Sequence, residues 1–260
     1  MPHAFLYNAP SSIMLQLSVV IPAYNEAERL PNTLCVAYDW LSQHITKDFE
    51  IIVVDDGSND GTRDRVTSLL ADRPRITLLP AHENIGKGGA VRRGMLHAHG
   101  LIRLFMDADH STHIKEVEKV FTAINKGADV VIASRQHRDS DISRHQSWLR
   151  EHMGMGFNRL MHACVDLTFQ DTQCGFKAFS ADAADAIFTR AKLNGFSFDV
   201  ELLFLAQRLG FSICEIPVHW VNEPSSKVRI LIDPLIMFAD IVRIRRLHQS
   251  TDFRSSRNQQ

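Results

Sequence analysis

The chain has 260 residues, a size that suits one large globular domain or one domain with an appendage. Its 29 basic and 30 acidic side chains leave a formal net charge of −1, so no overall positive field indicates a nucleic-acid partner. Hydrophobic residues make up 45% of the chain, which is ordinary for a protein with a buried core. The four cysteines form no Cys-x-x-Cys pair, which argues against a zinc site and is typical of reduced thiols.

The N-terminal residues have neither the basic region nor the apolar core of a signal peptide. No stretch approaches the roughly 18 uninterrupted apolar residues of a membrane-spanning helix. The longest candidate, residues 230–244, is interrupted by charged residues and a proline. We therefore expect a cytoplasmic protein without a spanning helix.

Apolar runs of strand character alternate with helical patterns along the first half of the chain. The predicted strands cover residues 17–22, 49–55, 76–79, 101–107 and 129–133. Helices are predicted to open at Asn25 or Glu26, to follow a cap at residues 58–60, and to cover residues 88–99 and 114–125, with Gly100 and Gly127 after the last two. This alternation predicts an α/β fold, a mostly parallel Rossmann-like sheet flanked by helices.

The character of the chain changes after Ser134. Residues 135–145 are polar, charged and without period, so we predict a mobile loop there. Further along, the predicted elements are a helix at 146–164, a returning segment at 171–179, a helix at 198–209 and a strand at 212–216.

Acidic residues follow three of the predicted strands at the point where each strand ends. Glu26 follows the first, Asp55 and Asp56 close the second, and Asp107 and Asp109 follow the fourth. Because ligands of open α/β sheets bind at the carboxyl ends of the strands, we expect one shared site there. Residues i and i+2 of a strand share a face, so Asp107 and Asp109 can reach one divalent cation. The pattern predicts a Mn²⁺ or Mg²⁺ site with positions left open for a diphosphate.

Several short motifs follow one another along the chain. They are VIPAYNE (20–26), VVDDGSNDGT (53–62), NIGKGGA (84–90), DAD (107–109), DTQCGFKAF (171–179) and FDVELL (198–203). With these motifs the chain resembles the family 2 glycosyltransferases, inverting enzymes that use a sugar nucleotide and have the GT-A fold. The last two motifs, with Lys227 after VHW (218–220), are similar to the branch of dolichyl-phosphate glucosyltransferases and dolichyl-phosphate mannosyltransferases.

The resemblance implies a role for residues in each motif. Asp107 and Asp109 would bind the metal, and Asp109 would also be catalytic. The residues implied to contact the nucleotide sugar are Pro22, Tyr24, Glu26, Val54, Asp55, Asp56, Gly86, Lys87, Asp107, Ala108, Asp109, Arg135 and Lys227. The mannosyl branch often has a metal-binding Gln two residues past the Asp-x-Asp motif, whereas this chain has Ser111.

The acceptor implied by the branch is a polyprenyl (dolichyl or undecaprenyl) phosphate. Arg135 and Arg150 would bind its phosphate, because the guanidinium group suits the geometry of an oxyanion. Asp171 is the implied catalytic residue that orients or deprotonates this phosphate. For any one of the arginines, the alternative is an ordinary solvated side chain.

Residues 84–90 form a glycine-rich turn that enters a predicted helix. Free backbone N–H groups and the positive end of that helix could face a phosphate. Lys87 is then a donor-site contact or, alternatively, a surface lysine. The segment is not a P-loop, because the spacing and the Ser or Thr after the lysine are absent.

The C-terminal region, residues 227–254, combines six basic side chains with three acidic ones and several apolar ones. A basic amphipathic helix over residues 230–248 is typical of peripheral binding at a membrane surface, which would bring the enzyme to a lipid acceptor. The alternative is that this helix packs on its own domain or on the partner of a homodimer. The predicted organisation is an N-terminal extension (1–16), a GT-A domain (17–228) and the basic helix with its tail (229–260).

We therefore expect a metal-dependent, inverting transferase that moves glucose from UDP-glucose to a polyprenyl phosphate at the cytoplasmic face of a membrane. The second choice is mannose from GDP-mannose, and the third is a saccharide acceptor of an envelope polysaccharide. Two other classes stay open. A nucleotidyltransferase would share the fold and the acids but should carry a Gly-rich, Arg-containing loop after its first strand, which is absent. The other class is a nucleotide-binding subunit without activity.

Overall fold

The structure, a computed structural model, describes residues 15–45, 48–144, 167, 169–221, 233–251 and 253. In these ranges the strands are β1 (Leu17–Ala23), β2 (Phe49–Asp55), β3 (Ile76–Pro80), β4 (Ile102–Met106), β5 (Val130–Ser134), β6 (Asp141–Arg144), β7 (Phe176–Ser180), β8 (Ile213–Pro217) and β9 (His219–Val221). The α-helices are α1 (Leu30–His44), α2 (Thr62–Leu70), α3 (Lys87–His97), α4 (Val117–Asn125), α5 (Ala181–Phe188), α6 (Phe198–Arg208) and α7 (Asp233–Leu247).

A central sheet of seven strands has the order β3-β2-β1-β4-β7-β5-β8. Every neighbouring pair is parallel except the two made by β7, which runs antiparallel to both β4 and β5. The prediction of a mostly parallel sheet flanked by helices is therefore confirmed. The reversed direction of β7 matters for function, since it brings the start of one strand to the edge where its neighbours end.

The sheet is buried on both faces, as expected for crossover helices that cover each side. Along β1, Val19 and Ile21 belong to the cluster under α1, α2 and α4, whereas Val20 belongs to the cluster under α3, α5 and α6. All seven residues of β1 are buried. The sheet is therefore a rigid platform, and its polar strand ends are the part exposed to ligands.

For the five strands predicted in the first half of the chain, the first and last residues each lie within one residue of those observed. The first helix starts later than predicted, at Leu30 instead of Asn25 or Glu26. Asn25 has a φ of 54°, a left-handed conformation that an α-helix excludes. The carbonyl of Glu26 then accepts the N–H groups of Arg29 and Leu30 in a turn that precedes the helix.

Only one of the two glycines predicted to follow helices has that role. Gly127 follows α4 with a φ of 97°, as expected. Helix α3 already ends at His97, so Gly100 lies beyond its C-terminus, and the prediction for Gly100 is wrong. A Cβ atom at Gly100 would lie 2.6 Å from the backbone nitrogen of Ser18, so this glycine permits close contact with β1.

The segment predicted as a loop at 135–145 contains strand β6, and the prediction of a loop is wrong for residues 141–144. This strand pairs in parallel with β9 in a separate two-stranded sheet. The turn before it is fixed by Ser140, whose hydroxyl donates to the carbonyl of Ser134 (2.6 Å) and accepts from the N–H of Val218 (3.0 Å). The helix predicted at 146–164 lies outside the described residues.

Helix α7 packs on its own domain, against α6. Ile241 and Ile244 belong to the same buried cluster as the apolar side of α6. Two polar contacts add to this packing: Ser197 donates to Asp240 (2.9 Å), and His248, just after the helix, lies 2.7 Å from Glu201. No helix in the described part of the chain is long and apolar enough to cross a bilayer.

Helix α3 approaches the sheet closely at Gly94, and we predict that Gly94→Ala destabilises the protein. The added Cβ would overlap Val20 and would lie 2.8 Å from a methyl group of Val54, so the core must expand. We expect a loss of about 1–3 kcal/mol in the free energy of unfolding, measured by urea denaturation. Gly195→Ala is the control, because no atom lies within 4 Å of its Cβ position. Equal midpoints for the two variants would contradict this packing.

Candidate active site

The polar ends of several strands meet at one edge of the sheet, as predicted. The N–H of Asp56, after β2, donates to the carbonyl of Ala23 at the end of β1 (2.8 Å). The N–H of Asp107, after β4, donates to the carbonyl of Gly175 just before β7 (3.0 Å). Strand β9 closes one side, since the N–H of Val221 donates to the carbonyl of Ser111 (3.0 Å).

Asp107 and Asp109 lie together at this edge, and both are partly exposed. An oxygen of Asp107 is 2.6 Å from the ammonium nitrogen of Lys87. An oxygen of Asp109 accepts the N–H of Ser111 (3.0 Å), which fixes the direction of that carboxylate. A cavity of about 380 Å³ opens beside Asp109, between the start of α1 and Val221.

The two carboxylates suit a divalent cation that prefers oxygen ligands. Asp107 already binds a cation, the ammonium group of Lys87, at 2.6 Å. In the described part of the chain, no group of three or more His, Cys, Asp and Glu side chains could hold a metal ion. A cation bound to Asp107 and Asp109 would therefore take its other ligands from water and substrate phosphates, as Mg²⁺ commonly does.

Gly175 determines the position of Asp107. A Cβ atom at Gly175 would overlap the carboxylate of Asp107, so the carboxylate occupies the space that any other residue would fill. The neighbouring Cys174 is buried, and burial, reinforced by the charge of Asp171, raises the pKa of its thiol to about 12. Cys174 is therefore a protonated packing residue and neither a nucleophile nor a metal ligand.

The residues implied for the nucleoside pocket lie at the ends of β1 and β2. Tyr24 is 37% exposed, whereas Pro22 lies within the buried strand β1. The carboxylate of Glu26 is held by Arg29 through two contacts of 2.7 and 2.8 Å. The side chain of Val54 is buried in the cluster under α3, so any contact with a base would use its backbone.

Asp55 and Asp56 are both buried and both hold loops. Asp55 accepts from Arg63 (2.9 Å) and from the N–H of Ser58 (3.0 Å). Asp56 accepts the N–H groups of Ile85 and Gly86, each at 2.9 Å. Burial raises the pKa of Asp56 above its ordinary value, although these two N–H groups act in the opposite direction.

In the glycine-rich turn, the N–H groups of Ile85, Gly86, Gly88 and Gly89 bind the protein, which argues against their use for a phosphate. The N–H groups of Gly88 and Gly89 both point at the carbonyl of Asn194, at 2.7 and 3.3 Å. The glycines are required by contact, because a Cβ at Gly86 would lie 2.5 Å from that carbonyl oxygen. The turn therefore supplies the side chain of Lys87 to the site, and its backbone binds the protein.

Arg135, whose side chain is 27% exposed, forms an ion pair of three contacts with the buried Asp171. The guanidinium of Arg135 donates to both oxygens of Asp171 (2.7 and 2.9 Å), and its backbone N–H donates as well (2.9 Å). The guanidinium also lies over the ring of Trp220, 5.5 Å from its centre. Burial would raise the pKa of Asp171, but the charge and hydrogen bonds of Arg135 outweigh burial and lower it.

The lowered pKa of Asp171 bears on its two predicted roles, both of which stay predictions. A carboxylate with a lowered pKa and both oxygens bound to arginine is a weak proton acceptor, so the structure argues against a general base. The role of orienting a phosphate-binding group, through Arg135, fits the geometry. Arg150 and Lys227 lie outside the described residues.

Another ion pair, this one buried on both sides, was not predicted from the sequence. Lys177 is fully buried and donates to Asp199 at 2.5 Å and to the carbonyl of Cys174 at 2.6 Å. The available signal was a lysine inside an otherwise apolar strand, FKAFS, which requires a buried acidic partner. The spacing of the motifs did not indicate that this partner is Asp199, 22 residues away.

Comparisons with known proteins find relatives that match most of the chain. The family model described as glycosyl transferase family 2 matches residues 18–188. A dolichyl-phosphate beta-glucosyltransferase of Dictyostelium discoideum is 40% identical, over 89% of this chain and 74% of that protein. The protein of the same name from Saccharomyces cerevisiae is 37% identical, over 88% of this chain and 74% of its own length.

Among solved structures, glucosyl-3-phosphoglycerate synthase from Mycobacterium tuberculosis superposes on this chain with a TM-score of 0.64. The aligned part covers 88% of this chain and 77% of that chain, at 19% identity, and that structure contains Mn²⁺, UDP and phosphoglyceric acid. At this level of identity the likeness shows the fold, which is the GT-A α/β fold that we predicted.

The contact between Gly175 and Asp107 leads to a direct test, the variant Gly175→Ala. The methyl group would displace the Asp107 carboxylate, so we expect Mn²⁺ affinity to fall by about tenfold or more, as it does when the support of a ligand is lost. Binding of Mn²⁺ is measured by isothermal titration calorimetry, with Gly195→Ala as the control. Wild-type affinity in Gly175→Ala would show that Asp107 does not bind the cation.

Proposed function

The chain belongs to glycosyl transferase family 2 and is a nucleotide-sugar-dependent glycosyltransferase, and we propose that it transfers glucose from UDP-glucose to dolichyl phosphate or a related polyprenyl phosphate. One observation carries this proposal: relatives 37–40% identical over nearly nine tenths of the chain are dolichyl-phosphate beta-glucosyltransferases. These relatives favour glucose over mannose and a lipid phosphate over a saccharide acceptor.

The proposed reaction is a single displacement at C1 of glucose. A phosphate oxygen of the acceptor forms a bond to C1 while the bond from C1 to the UDP oxygen breaks, and UDP leaves with the electron pair. Attack from the opposite face converts an α-linked donor into a β-linked product. The attacking phosphate is already ionised near neutral pH, so the reaction needs no strong general base. This fits Asp171, whose oxygens are both bound to Arg135.

The side chains at the strand edge have distinct roles in this proposal. Asp107 and Asp109 would hold a Mn²⁺ or Mg²⁺ ion, which would stabilise the negative charge that develops on the diphosphate. Arg135 would bind an acceptor or donor phosphate with a guanidinium group oriented by Asp171 and Trp220. A planar, fixed guanidinium loses little rotational freedom when it binds an oxyanion. Arg150 and Lys227 remain proposals from the sequence.

The donor and the metal are tested together by one transfer assay. Purified protein with Mn²⁺ and dolichyl phosphate is incubated with UDP-glucose or GDP-mannose, and the lipid product is quantified. We expect glucose transfer, and a decrease of at least about hundredfold in Asp109→Ala, because loss of metal stabilisation costs several kcal/mol. Asp64→Ala, an exposed residue of α2, is the matched control.

Three results would contradict the proposal in different ways. Transfer from GDP-mannose and not from UDP-glucose would show that the proposed donor is wrong. Transfer to saccharides and not to dolichyl phosphate would show that the proposed acceptor is wrong. Full activity of Asp109→Ala, or of wild type in EDTA, would show that transfer does not require a metal ion.

We also propose that α7 docks the enzyme on an anionic membrane surface. Its solvent side carries three apolar residues about half exposed, Ile236, Phe238 and Val242 (47, 49 and 51%). Arg245 and Arg246 lie in the last turn of the same helix and are exposed. Apolar side chains beside basic ones match the interface of an anionic lipid layer, where each basic residue contributes about 1 kcal/mol.

Vesicle binding tests this docking surface with the double variant Phe238→Ser/Val242→Ser. We expect weaker cosedimentation with phosphatidylserine-containing vesicles and slower transfer to long-chain dolichyl phosphate, because apolar area is lost from the interface. Transfer to a short, water-soluble phosphate analogue should not change. Leu96→Ser is the matched control, an apolar residue of α3 with 44% exposure. An equal decrease with both acceptors would identify α7 as a purely structural helix.

A further inference from the structure

The ion pair between Lys87 and Asp107 occupies an oxygen that a metal would need. The ammonium nitrogen of Lys87 lies 2.6 Å from this oxygen, and the two side chains are 23% and 32% exposed. A divalent cation and a lysine ammonium therefore compete for the same carboxylate.

A second carboxylate close to Lys87, that of Asp199, is already paired with another lysine. Asp199 is 4% exposed, and its oxygen accepts from the buried Lys177 at 2.5 Å. Lys177 is itself fixed by the carbonyl of Cys174 and by the ring of Phe105, 5.5 Å away. Because Lys177 already neutralises Asp199, a move of Lys87 to Asp199 would place two ammonium groups on one buried carboxylate, where their positive charges repel.

When a cation takes Asp107, Lys87 therefore needs a new anion. A diphosphate bound to the cation would bring oxyanions next to Asp107, within the region that Lys87 already occupies. The aliphatic stem of a lysine allows its ammonium group to move between such neighbours. If the metal bound alone, Lys87 would be left partly buried and without its partner at Asp107. If the metal bound with the diphosphate, Lys87 would have a new anionic partner.

We propose that Lys87 acts as an internal counter-ion of Asp107, which weakens binding of a divalent cation alone and is released when a nucleoside diphosphate arrives with it. Cation and nucleotide then bind cooperatively, and the coupling between them depends on Lys87. The role of the nucleotide rests on the proposed function, whereas competition between Lys87 and the cation does not.

Binding of Mn²⁺ to Lys87→Met tests the counter-ion without turnover. Methionine keeps the length of the side chain and removes the charge. The affinity for Mn²⁺ is measured by calorimetry, first with Mn²⁺ alone and then with saturating UDP. We expect wild type to bind Mn²⁺ weakly alone and at least about fivefold more tightly with UDP, a typical coupling between two ligands. In Lys87→Met, Mn²⁺ alone should bind at least about fivefold more tightly, and the gain from UDP should shrink.

Lys119→Met is the matched control. Lys119 also forms an ion pair at 2.6 Å, but its partner Glu116 is not one of the proposed metal ligands. The affinity of the Lys119→Met protein for Mn²⁺, and the increase of that affinity with UDP, should equal those of wild type. Circular dichroism of all three proteins checks that each variant is folded.

The ratio of the two Mn²⁺ affinities separates this proposal from a general field effect. If Lys87 only repels the cation and stays on Asp107, Lys87→Met would raise both affinities equally and leave the ratio unchanged, which overturns the proposal. Unchanged or weaker binding of Mn²⁺ alone would overturn it as well. If the Mn²⁺ affinities are as expected but glucose is not transferred, the proposed function is refuted, whereas the role of Lys87 as a counter-ion of Asp107 still holds.

Discussion

The contact between Gly175 and the carboxylate of Asp107 is the constraint on which the candidate site depends. It exists because β7 runs antiparallel between β4 and β5, so its first residues meet the last residues of β4. The carbonyl of Gly175 binds the N–H of Asp107, and the missing side chain leaves room for the carboxylate. A parallel strand at this position would present its other end and could not form this contact.

Two ion pairs under this contact make the site rigid at an energetic cost. Lys177, Asp199 and Asp171 are buried and have lost most of their hydration, whereas Arg135 keeps part of its own. The attraction within each pair offsets this loss only when the geometry is good. The pKa of Asp171 is lowered, so this group stabilises the fold above its unfolded pKa of about 4 and loses that contribution as the pH falls through the lower folded value. Near neutral pH, the pair between Arg135 and Asp171 is therefore fully formed.

The sequence predicted the sheet well because strands buried on both faces have a strong apolar signal, and β2 at Phe49–Asp55 agrees residue for residue. It also predicted the convergence of the acidic residues, because parallel strands, once they are recognised, end at a common edge of the sheet. It did not predict β6, because a short exposed strand without apolar alternation resembles a loop. The glycine-rich turn also could not be assigned from sequence. Glycine serves phosphate binding and close backbone packing equally, and only the position of Asn194 distinguishes the two.

The carboxylate of Glu201 connects the loop before α6 to the residues after α7. It is fully buried and accepts the N–H groups of Lys192 and Leu193, next to the carbonyl of Asn194 that caps the turn at Lys87. The same carboxylate contacts the ring of His248, beyond α7. A protein truncated before α7 would expose part of the core and leave this carboxylate without the imidazole. Helix α7 therefore holds the loop behind the glycine-rich turn, and its removal would loosen the sheet edge near Lys87.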